Sequence, residues 1–292
     1  MRSIAAISPA TQLCGIIGNP VGHSMSPALH NRAFSELNLD YVYLAFRVDP
    51  GNVARVLDGI RAMDNFRGLS VTIPHKVEVV ACVDEISDAD KGIGSINTII
   101  NNGGRLRGLG SDGPGARQAM LDNGLQPEGS RVTIIGTGGA SRAIAFDLAF
   151  NARPEKLVLM GVIEDELFCL AKDISNKSDL AVEGVLIDDA SLSRVVGDSQ
   201  ILINATPVGM YPNVDKSVVP SELLHSDLGV MDIIYNPLST KLLNDAKEKG
   251  LVTVSGLEMF VNQAVIQFEG WTGCKAPKEA MRKVVLDRLS IK

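Results

Sequence analysis

The sequence predicts an α/β protein with parallel sheets, and two observations carry this prediction. Apolar runs of strand length alternate with amphipathic segments of helix length through most of the chain. Because parallel strands need crossover connections, this alternation indicates sheets that are covered by helices on both faces. The second observation is size, since 292 residues, 45% hydrophobic and 21% charged, suffice for a soluble globular protein of two domains.

The apolar runs are the predicted strands, namely Leu13–Ile17, Tyr41–Val48, Gly68–Ile73, Val132–Ile135, Leu157–Met160, Ile201–Ala205, Val230–Ile233 and Val252–Val254. Helical patterns fill the gaps, among them Pro27–Leu37, Val53–Met63, Ala140–Phe150, Lys241–Lys249 and Leu257–Phe268. The first of these helices has the clearest start signal, because Ser26 is a natural N-cap and Pro27 a natural first helical residue.

A hairpin is predicted near residue 105. Two apolar runs, Ser95–Ile100 and Arg105–Leu109, flank the turn sequence Asn-Asn-Gly-Gly, which is typical of antiparallel strands rather than a crossover. A second parallel unit begins at Arg131, so the domain boundary is expected close to Asp112. We therefore predict one domain over residues 1–111, completed by the helices in residues 256–292, and a second domain over residues 112–255.

Composition excludes several classes of partner. The net charge of −6 and the pI near 5.3 argue against nucleic acid, because no basic stripe is present to neutralise phosphates. No apolar run reaches the ~18 residues of a membrane span, and residues 1–10 lack the apolar core of a signal peptide, so we expect no membrane partner and a cytoplasmic location. The cysteines, Cys14, Cys82, Cys169 and Cys274, lack Cys-x-x-Cys spacing, which predicts reduced thiols and no metal centre.

The segment from Gly18 to Asn31 indicates a site for a small carboxylate. A strand breaks there at glycine and proline residues, and a helix begins. Ser24 and Ser26 are predicted to lie where backbone N–H groups and the positive end of a helix dipole favour an anion. A lone Ser-Pro pair is more often an ordinary helix cap. The second serine and the polar groups downstream favour the anion site here.

A second segment predicts a dinucleotide site. A strand, a glycine turn and a helix start follow one another, and the turn and helix start contain Gly136, Thr137, Gly138, Gly139, Ala140 and Ser141. The glycines let the backbone approach a pyrophosphate, which the helix N-terminus stabilises. The alternative is a tight turn without a ligand. The loop that contains Thr206 follows another strand of the same unit and is expected at the same rim.

The end of the next strand bears on the choice of dinucleotide. Residues 161–166 contain three acids and neither Arg nor Lys. A 2′-phosphate needs a basic side chain, whereas a carboxylate suits the free ribose hydroxyls of NAD. The acids are equally expected as the solvated first turn of a helix. The missing arginine nevertheless favours NAD over NADP.

Lys76 and Asp112 are candidates for proton transfer. Lys76 follows a proline-locked turn at the end of a strand, and Asp112 follows the hairpin at the predicted domain junction. A lysine and an aspartate that face one hydroxyl can move its proton while a hydride passes to a nicotinamide ring. The competing interpretation is that a single lysine is ordinary solvated surface.

Taken together, these segments resemble the shikimate dehydrogenases over residues 13–285. Six blocks match in order, from Gly-Asn-Pro-Val-Gly-His-Ser-Met-Ser-Pro at Gly18 to Gly-Leu-Glu-Met-Phe-Val-Asn-Gln-Ala at Gly256. The resemblance implies an N-terminal α/β substrate domain, a Rossmann dinucleotide-binding domain and closing helices that return to the first domain. It implies the reversible NAD(P)-dependent reduction of 3-dehydroshikimate to shikimate in aromatic amino-acid biosynthesis. A homodimer is a candidate assembly.

The resemblance also implies roles for single residues. Ser24 and Ser26 would hold the shikimate carboxylate, with Lys76 as the catalytic lysine and Asp112 as its partner. The ring hydroxyls would contact Thr72, Asn97, Asp112 and Gln263, and Tyr235 would line the same pocket. On the cofactor side, Gly136 to Ser141 would form the diphosphate loop, Thr206 would lie near the nicotinamide, and Ile233 and Gly256 would add further contacts.

The chain departs from the family pattern at two places. Residues 161–163 read Gly-Val-Ile where most members have Asn-Arg-Thr, and residues 108–112 read Gly-Leu-Gly-Ser-Asp where Gly-Tyr-Asn-Thr-Asp is usual. The first departure makes an NAD-preferring quinate/shikimate dehydrogenase the alternative activity, although Thr72 counts against quinate, since members that accept it often have Ser there. The second predicts altered loop geometry. A non-catalytic module that senses nucleotide or shikimate is a further alternative, which the presence of Lys76 and Asp112 disfavours.

Overall fold

The computed structural model describes residues 7–290 and separates them into two units. One unit contains the described residues up to Ser111 together with those from Gln263 onward, and the other spans Asp112–Asn262. The division at Asn262 falls within one continuous helix, Gly256–Thr272. Each unit is built around its own six-stranded sheet, so the predicted α/β fold is confirmed.

The first unit holds a mixed sheet with the strand order β2-β1-β3-β5-β6-β4. Its strands are β1 (Gln12–Gly18), β2 (Tyr41–Arg47), β3 (Phe66–Val71), β4 (Glu85–Ile86), β5 (Thr98–Asn102) and β6 (Arg105–Leu109). Its helices are α1 (Ser26–Glu36), α2 (Val53–Arg61), α3 (Asp88–Ile93) and α10 (Lys278–Leu289), with a 3₁₀ turn at Glu78–Cys82. The strand β1 pairs in parallel with β2 and β3, whereas β5 runs antiparallel to β3 and β6.

The predicted hairpin is confirmed. In it, β5 and β6 pair directly up to Asn102 and Arg105, which leaves a two-residue turn. Gly103 and Gly104 in that turn have φ angles of +62° and +90°. Positive φ at both central residues is what the tight turns between twisted strands require, and glycine adopts it without strain.

The second unit holds a fully parallel sheet with the order β12-β11-β10-β7-β8-β9. Its strands are β7 (Arg131–Ile135), β8 (Lys156–Gly161), β9 (Val182–Leu186), β10 (Ile201–Asn204), β11 (Gly229–Asp232) and β12 (Thr253–Ser255). Its helices are α4 (Asp112–Asp122), α5 (Gly139–Asp147), α6 (Glu164–Lys177), α7 (Asp189–Asp198) and α8 (Lys241–Glu248), and α9 (Gly256–Thr272) begins in it. A π-helical turn, Leu148–Ala152, extends α5, and a 3₁₀ turn spans Ser221–Leu223.

The cores follow from the apolar patterns. In the first unit, Val53, Leu57 and Ile60 recur at helical spacing on α2 and are buried against strand residues such as Ile17 and Leu69. In the second unit, buried residues of β8, β10 and β11 form a corresponding cluster with residues of α7 and α8. Helices thus pack against each sheet, and loops follow the ends of its strands.

Candidate active site

One edge of the first sheet gathers several of the predicted site residues. The strands β1 and β3 end there, and the antiparallel strand β5 begins there, with Ser70 of β3 paired directly with Thr98 of β5. The strand β6 ends at the same level, because Leu109 also pairs with Thr98. The segments that follow or precede these ends contain Thr72, Lys76, Asn97 and Ser111. This edge is where the fold places polar side chains of the first unit.

The prediction that Ser26 caps the first helix is wrong. Met25 occupies the N-cap position of α1, no side chain caps the helix end, and Ser26 is already the first helical residue. The hydroxyl of Ser24 instead accepts a hydrogen bond from the backbone N–H of Ser26, at 3.3 Å. Pro27 has no N–H and lies in the first turn, so it removes one of the free backbone donors at the start of the helix. Ser24 is half-buried and Ser26 is buried.

The turn after β3 is held by backbone hydrogen bonds on both sides. The Thr72 N–H donates to the Ile17 carbonyl at 3.0 Å, and the Asn19 N–H donates to the Ile73 carbonyl at 3.0 Å. Gly18 leaves room for this approach, since a Cβ at that position would lie 2.4 Å from the Thr72 methyl group. Thr72 therefore lies beside the end of β1.

Lys76 lies one turn beyond Thr72 and is half-buried. Its carbonyl accepts a hydrogen bond of 2.9 Å from the Ile96 N–H, which places the backbone of Lys76 beside the residue that precedes Asn97. The neighbouring His75 is fully buried, and its Nε2 lies 2.8 Å from the Val48 carbonyl oxygen. Contacts with the backbone of Val48 and of Ile96 thus hold the segment around Lys76 in place.

Asn97 and Gln263 are brought together by Ser111. The Ser111 N–H donates to Asn97 Oδ1 at 2.7 Å, and the Ser111 hydroxyl lies 3.1 Å from the same oxygen and 3.3 Å from Gln263 Oε1. A backbone N–H can only donate, so the oxygen of the Asn97 amide faces Ser111 and its NH₂ group is turned the other way. Both amides are buried, with 4% and 8% of their surface exposed.

Sequence reasoning missed the polar network beneath this pair. Gln267, one helical turn after Gln263, donates from Nε2 to the Thr98 hydroxyl at 3.1 Å and accepts at Oε1 from the Ser70 hydroxyl at 2.9 Å. The Tyr43 hydroxyl donates to Ser70 at 2.7 Å. Burial raises the pKa of Tyr43, so the phenol keeps its proton and remains a donor. The spacing of Gln263 and Gln267 by four residues on one helix was the signal available in the sequence.

An aromatic layer lies next to this network. The His30 ring stacks on Tyr43 with 4.6 Å between ring centroids and lies 5.0 Å from the ring of Trp271. Among the described residues, neither ring nitrogen of His30 has a hydrogen-bond partner. Burial lowers the pKa of His30 to about 3, and the nearby Gln267 amide opposes that shift. His30 is therefore a neutral packing residue.

In the second unit, the glycine loop has the features that a pyrophosphate needs. Gly136 has a φ of +117°, and a Cβ there would lie 2.8 Å from the Ala205 carbonyl oxygen, so the tight turn requires glycine. Gly138 is the N-cap of α5 and offers no side-chain cap, and a Cβ at Gly138 or Gly139 would meet nothing within 4 Å. Space therefore lies open above a helix N-terminus, where a phosphate group fits.

The other predicted cofactor residues lie at the same rim, at the carboxyl ends of β10, β11 and β12. Thr206 donates from its N–H and its hydroxyl to Asn204 Oδ1, at 3.0 and 2.8 Å. The Ile233 N–H donates to the Asn204 carbonyl at 3.1 Å. A Cβ at Gly256 would lie 2.1 Å from the Ile233 carbonyl oxygen, so only glycine lets these two backbone segments lie so close together.

Asp232 orders the segment that leads to Tyr235. Its carboxylate is buried and accepts from the Thr240 hydroxyl at 2.7 Å and from the Ile234 N–H at 3.0 Å. Burial raises the pKa of Asp232, and these hydrogen bonds oppose that shift. Tyr235 stacks on Phe260 with 5.2 Å between ring centroids. Asp112, the first residue of α4, also belongs to this unit.

Within residues 7–290, no helix combines the length and the apolar character needed to cross a membrane. Over the same residues, no three or more His, Cys, Asp or Glu side chains are grouped so that they could hold a metal ion.

Comparisons with known proteins identify close relatives. The family model described as "Shikimate dehydrogenase substrate binding domain" matches residues 16–99, and "Shikimate 5'-dehydrogenase C-terminal domain" matches residues 256–286. The "Shikimate dehydrogenase (NADP(+))" of Methanosarcina acetivorans is 43% identical over 281 residues, which cover 94% of this chain and 98% of the relative.

Solved structures agree with this result. The crystal structure of a shikimate dehydrogenase in complex with NADP⁺ matches with a TM-score of 0.87 and 38% identity, over 97% of each chain. The shikimate 5-dehydrogenase of Listeria monocytogenes, in complex with shikimate and NAD, matches with a TM-score of 0.91 and 34% identity. That match covers 98% of this chain and 100% of the Listeria chain.

Proposed function

Because the chain belongs to the shikimate dehydrogenase family, we propose that it catalyses the reversible reduction of 3-dehydroshikimate to shikimate with a nicotinamide dinucleotide. This reaction belongs to aromatic amino-acid biosynthesis. The observation that carries the proposal is the set of polar residues at one edge of the first sheet, where Thr72 and Lys76 follow β3 and Ser111 joins the amides of Asn97 and Gln263.

The substrate is a ring with one carboxylate and several hydroxyls, and the residues offer matching groups. Ser24 and Ser26 bind the carboxylate through neutral donors at the start of α1. The ring hydroxyls are bound by Thr72, Asn97, Asp112 and Gln263, and Tyr235 lines the same pocket. An amide can both donate to and accept from a hydroxyl, which suits Asn97 and Gln263 to a polyhydroxy ligand.

Lys76 and Asp112 form the acid/base pair. In the reduction, the carbonyl carbon of the substrate gains a hydride and the carbonyl oxygen gains a proton from the Lys76 ammonium, which gives the alcohol. The Asp112 carboxylate orients Lys76 and stabilises its charge. In the reverse direction Lys76 takes the hydroxyl proton. A bound nicotinamide supplies or accepts the hydride.

The dinucleotide is held by Gly136 to Ser141 at the N-terminus of α5, with Thr206, Ile233 and Gly256 along the same rim. We propose that NAD is preferred over NADP. The chain has no Lys or Arg between Lys156 and Lys172, so the end of β8 has no basic side chain for a 2′-phosphate. The Listeria complex contains NAD, whereas the Methanosarcina relative is named for NADP⁺.

The test is turnover by the purified protein with each pair of substrate and cofactor. We expect shikimate to be oxidised with a kcat/KM at least about 10-fold above that for quinate, because Thr72 leaves less room than the smaller Ser. With shikimate, we expect a higher kcat/KM for NAD than for NADP. The absence of turnover with either cofactor would refute the activity. Equal or better use of NADP would refute only the cofactor preference.

A further inference from the structure

We propose that Glu166 is a specificity-determining residue that rejects dinucleotides with a 2′-phosphate, and that Thr137 holds it in that position. The inference rests on the proposed use of a nicotinamide dinucleotide, and it goes beyond the absence of a basic clamp. A missing arginine removes an attraction, whereas a fixed carboxylate adds a repulsion. If Glu166 repels the 2′-phosphate, removal of its charge alone should tighten binding of a 2′-phosphorylated ligand. If only the missing arginine matters, that removal should change nothing.

A side-chain hydrogen bond joins the glycine loop to α6. The Thr137 hydroxyl donates to Glu166 Oε2 at 2.9 Å. Thr137 lies inside the loop whose glycines open onto the N-terminus of α5, and Glu166 lies in the first turn of α6. The Glu166 carboxylate is therefore hydrogen-bonded to the loop that would bind the diphosphate.

Packing against Gly161 sets the position of the Thr137 side chain, whereas Glu166 itself is exposed. A Cβ at Gly161 would lie 2.8 Å from the Thr137 methyl group, so Thr137 occupies the space that a side chain at the end of β8 would need. With its methyl group against Gly161, a threonine has one preferred rotamer left for its hydroxyl. That hydroxyl points to Glu166. Gly161 thus permits the arrangement that the hydrogen bond completes.

The start of α6 is negatively charged. Next to Glu166, the first turn of α6 also contains Glu164 and Asp165. The cation nearest to the loop in sequence, Arg142 of α5, is paired with Asp173. A 2′-phosphate carries close to two negative charges at neutral pH and would meet a carboxylate rather than a base. The free ribose hydroxyls of NAD can instead donate to that carboxylate.

The test uses adenosine fragments, so that it needs neither shikimate nor turnover. Dissociation constants are measured by calorimetry for 5′-AMP and for adenosine 2′,5′-bisphosphate, which differ only in the 2′-phosphate. Glu166→Gln keeps an acceptor oxygen and removes the charge. We expect it to tighten the bisphosphate about 10-fold, the scale of one like-charge contact near a surface, and to change 5′-AMP less than about 2-fold.

Two further variants test whether the effect is specific to Glu166 and depends on Thr137. Glu164→Gln is the matched control, because it removes a carboxylate from the same helical turn about 200° around the helix from Glu166, and we expect less than half of the effect. Thr137→Val keeps the shape of the side chain and removes the donor, so the carboxylate is no longer held. We expect this variant to give an intermediate loss of discrimination.

Salt provides an independent readout. In wild type, raising the ionic strength from about 0.1 M to about 1 M shortens the Debye length from about 10 Å to about 3 Å and should reduce the discrimination between the two fragments. In Glu166→Gln, discrimination should depend less on salt. An unchanged bisphosphate affinity in Glu166→Gln, or an equal gain in Glu164→Gln, would overturn the proposal. Failure of shikimate turnover would refute the proposed activity and leave the fragment result standing.

Discussion

At the scale of single residues, His30 couples the packing of the first unit to pH. The ring is fully buried between Tyr43 and Trp271, and burial lowers its pKa to about 3 from 6.5. Between these two values the unfolded chain binds a proton that the folded protein does not. Because the unfolded state binds more protons, the free energy of unfolding falls as the pH falls below 6.5.

We therefore predict that His30 lowers the free energy of unfolding of wild type by about 1.4 kcal/mol for each pH unit between about pH 6.5 and about pH 3, and that His30→Phe lacks this contribution. Chemical denaturation at about pH 7.5 and about pH 4.5 measures it. Phe34→Leu provides the control, because it alters a ring next to His30 that carries no titratable group, and it should keep the wild-type pH dependence. An identical pH dependence in His30→Phe and wild type would contradict the prediction.

Lys76 could be predicted from local sequence, whereas the role of Ser111 could not. The place of Lys76 after a proline turn made it a candidate from the sequence, and the structure fixes its backbone through the Ile96 N–H. The role of Ser111 was not foreseen, because its contacts to Asn97 and Gln263 join residues 14 and 152 positions away. Local patterns report local structure, and contacts of this range depend on sheet register and helix docking.

At the scale of elements, the crossing of β3 and α9 depends on one glycine. A Cβ at Gly68 would lie 2.3 Å from both the Ile99 carbonyl oxygen and Trp271 Nε1. Those two atoms are joined by a hydrogen bond of 2.9 Å, so any side chain at position 68 would push the tryptophan away from the strand. The absence of a side chain here is what lets the helix lie against the sheet.

We predict that Gly68→Ala destabilises the protein by about 2 kcal/mol or more, the scale of overpacking in a core. Trp271 is the only tryptophan, so its fluorescence should move to the red as the ring gains contact with water. Gly59→Ala is the matched control, because a Cβ there meets nothing within 4 Å inside α2. It should stabilise by about 0.5–1 kcal/mol. Wild-type fluorescence in Gly68→Ala would show that the helix tolerates the added methyl group.

Elements also show what the sequence could and could not predict. The predicted strands were recovered because apolar runs bounded by turns are a local signal. The strand β9, with the sequence Val-Glu-Gly-Val-Leu, lies at the edge of its sheet and has no buried residue, so no apolar pattern marked it. The two-residue β4 is too short to give a pattern. At α1, the serine before proline suggested a cap, but the helix begins one residue earlier than expected.

At the scale of the whole molecule, the chain contains two sheets of different kinds. The first unit supplies the polar edge around Lys76 and the Asn97–Gln263 pair, and the second supplies the glycine loop and the rim around Thr206. The sequence predicted which motifs belong to each unit. Each motif follows a strand, and the alternation of strand and helix patterns marks where that strand ends. The network through Gln267 could not be predicted, since it joins β2, β3, β5 and α9 through side chains distant in sequence.

The most direct measurement is the steady-state rate of shikimate oxidation by wild type and by Lys76→Met, followed by the absorbance of the reduced nicotinamide. We predict that wild type forms one reduced cofactor for each shikimate oxidised, and that kcat of the variant falls by about 100-fold or more with a smaller change in KM. Dinucleotide binding, measured by calorimetry, should be unchanged in the variant. A variant that keeps the wild-type kcat would contradict the assignment of Lys76 as the group that takes the hydroxyl proton.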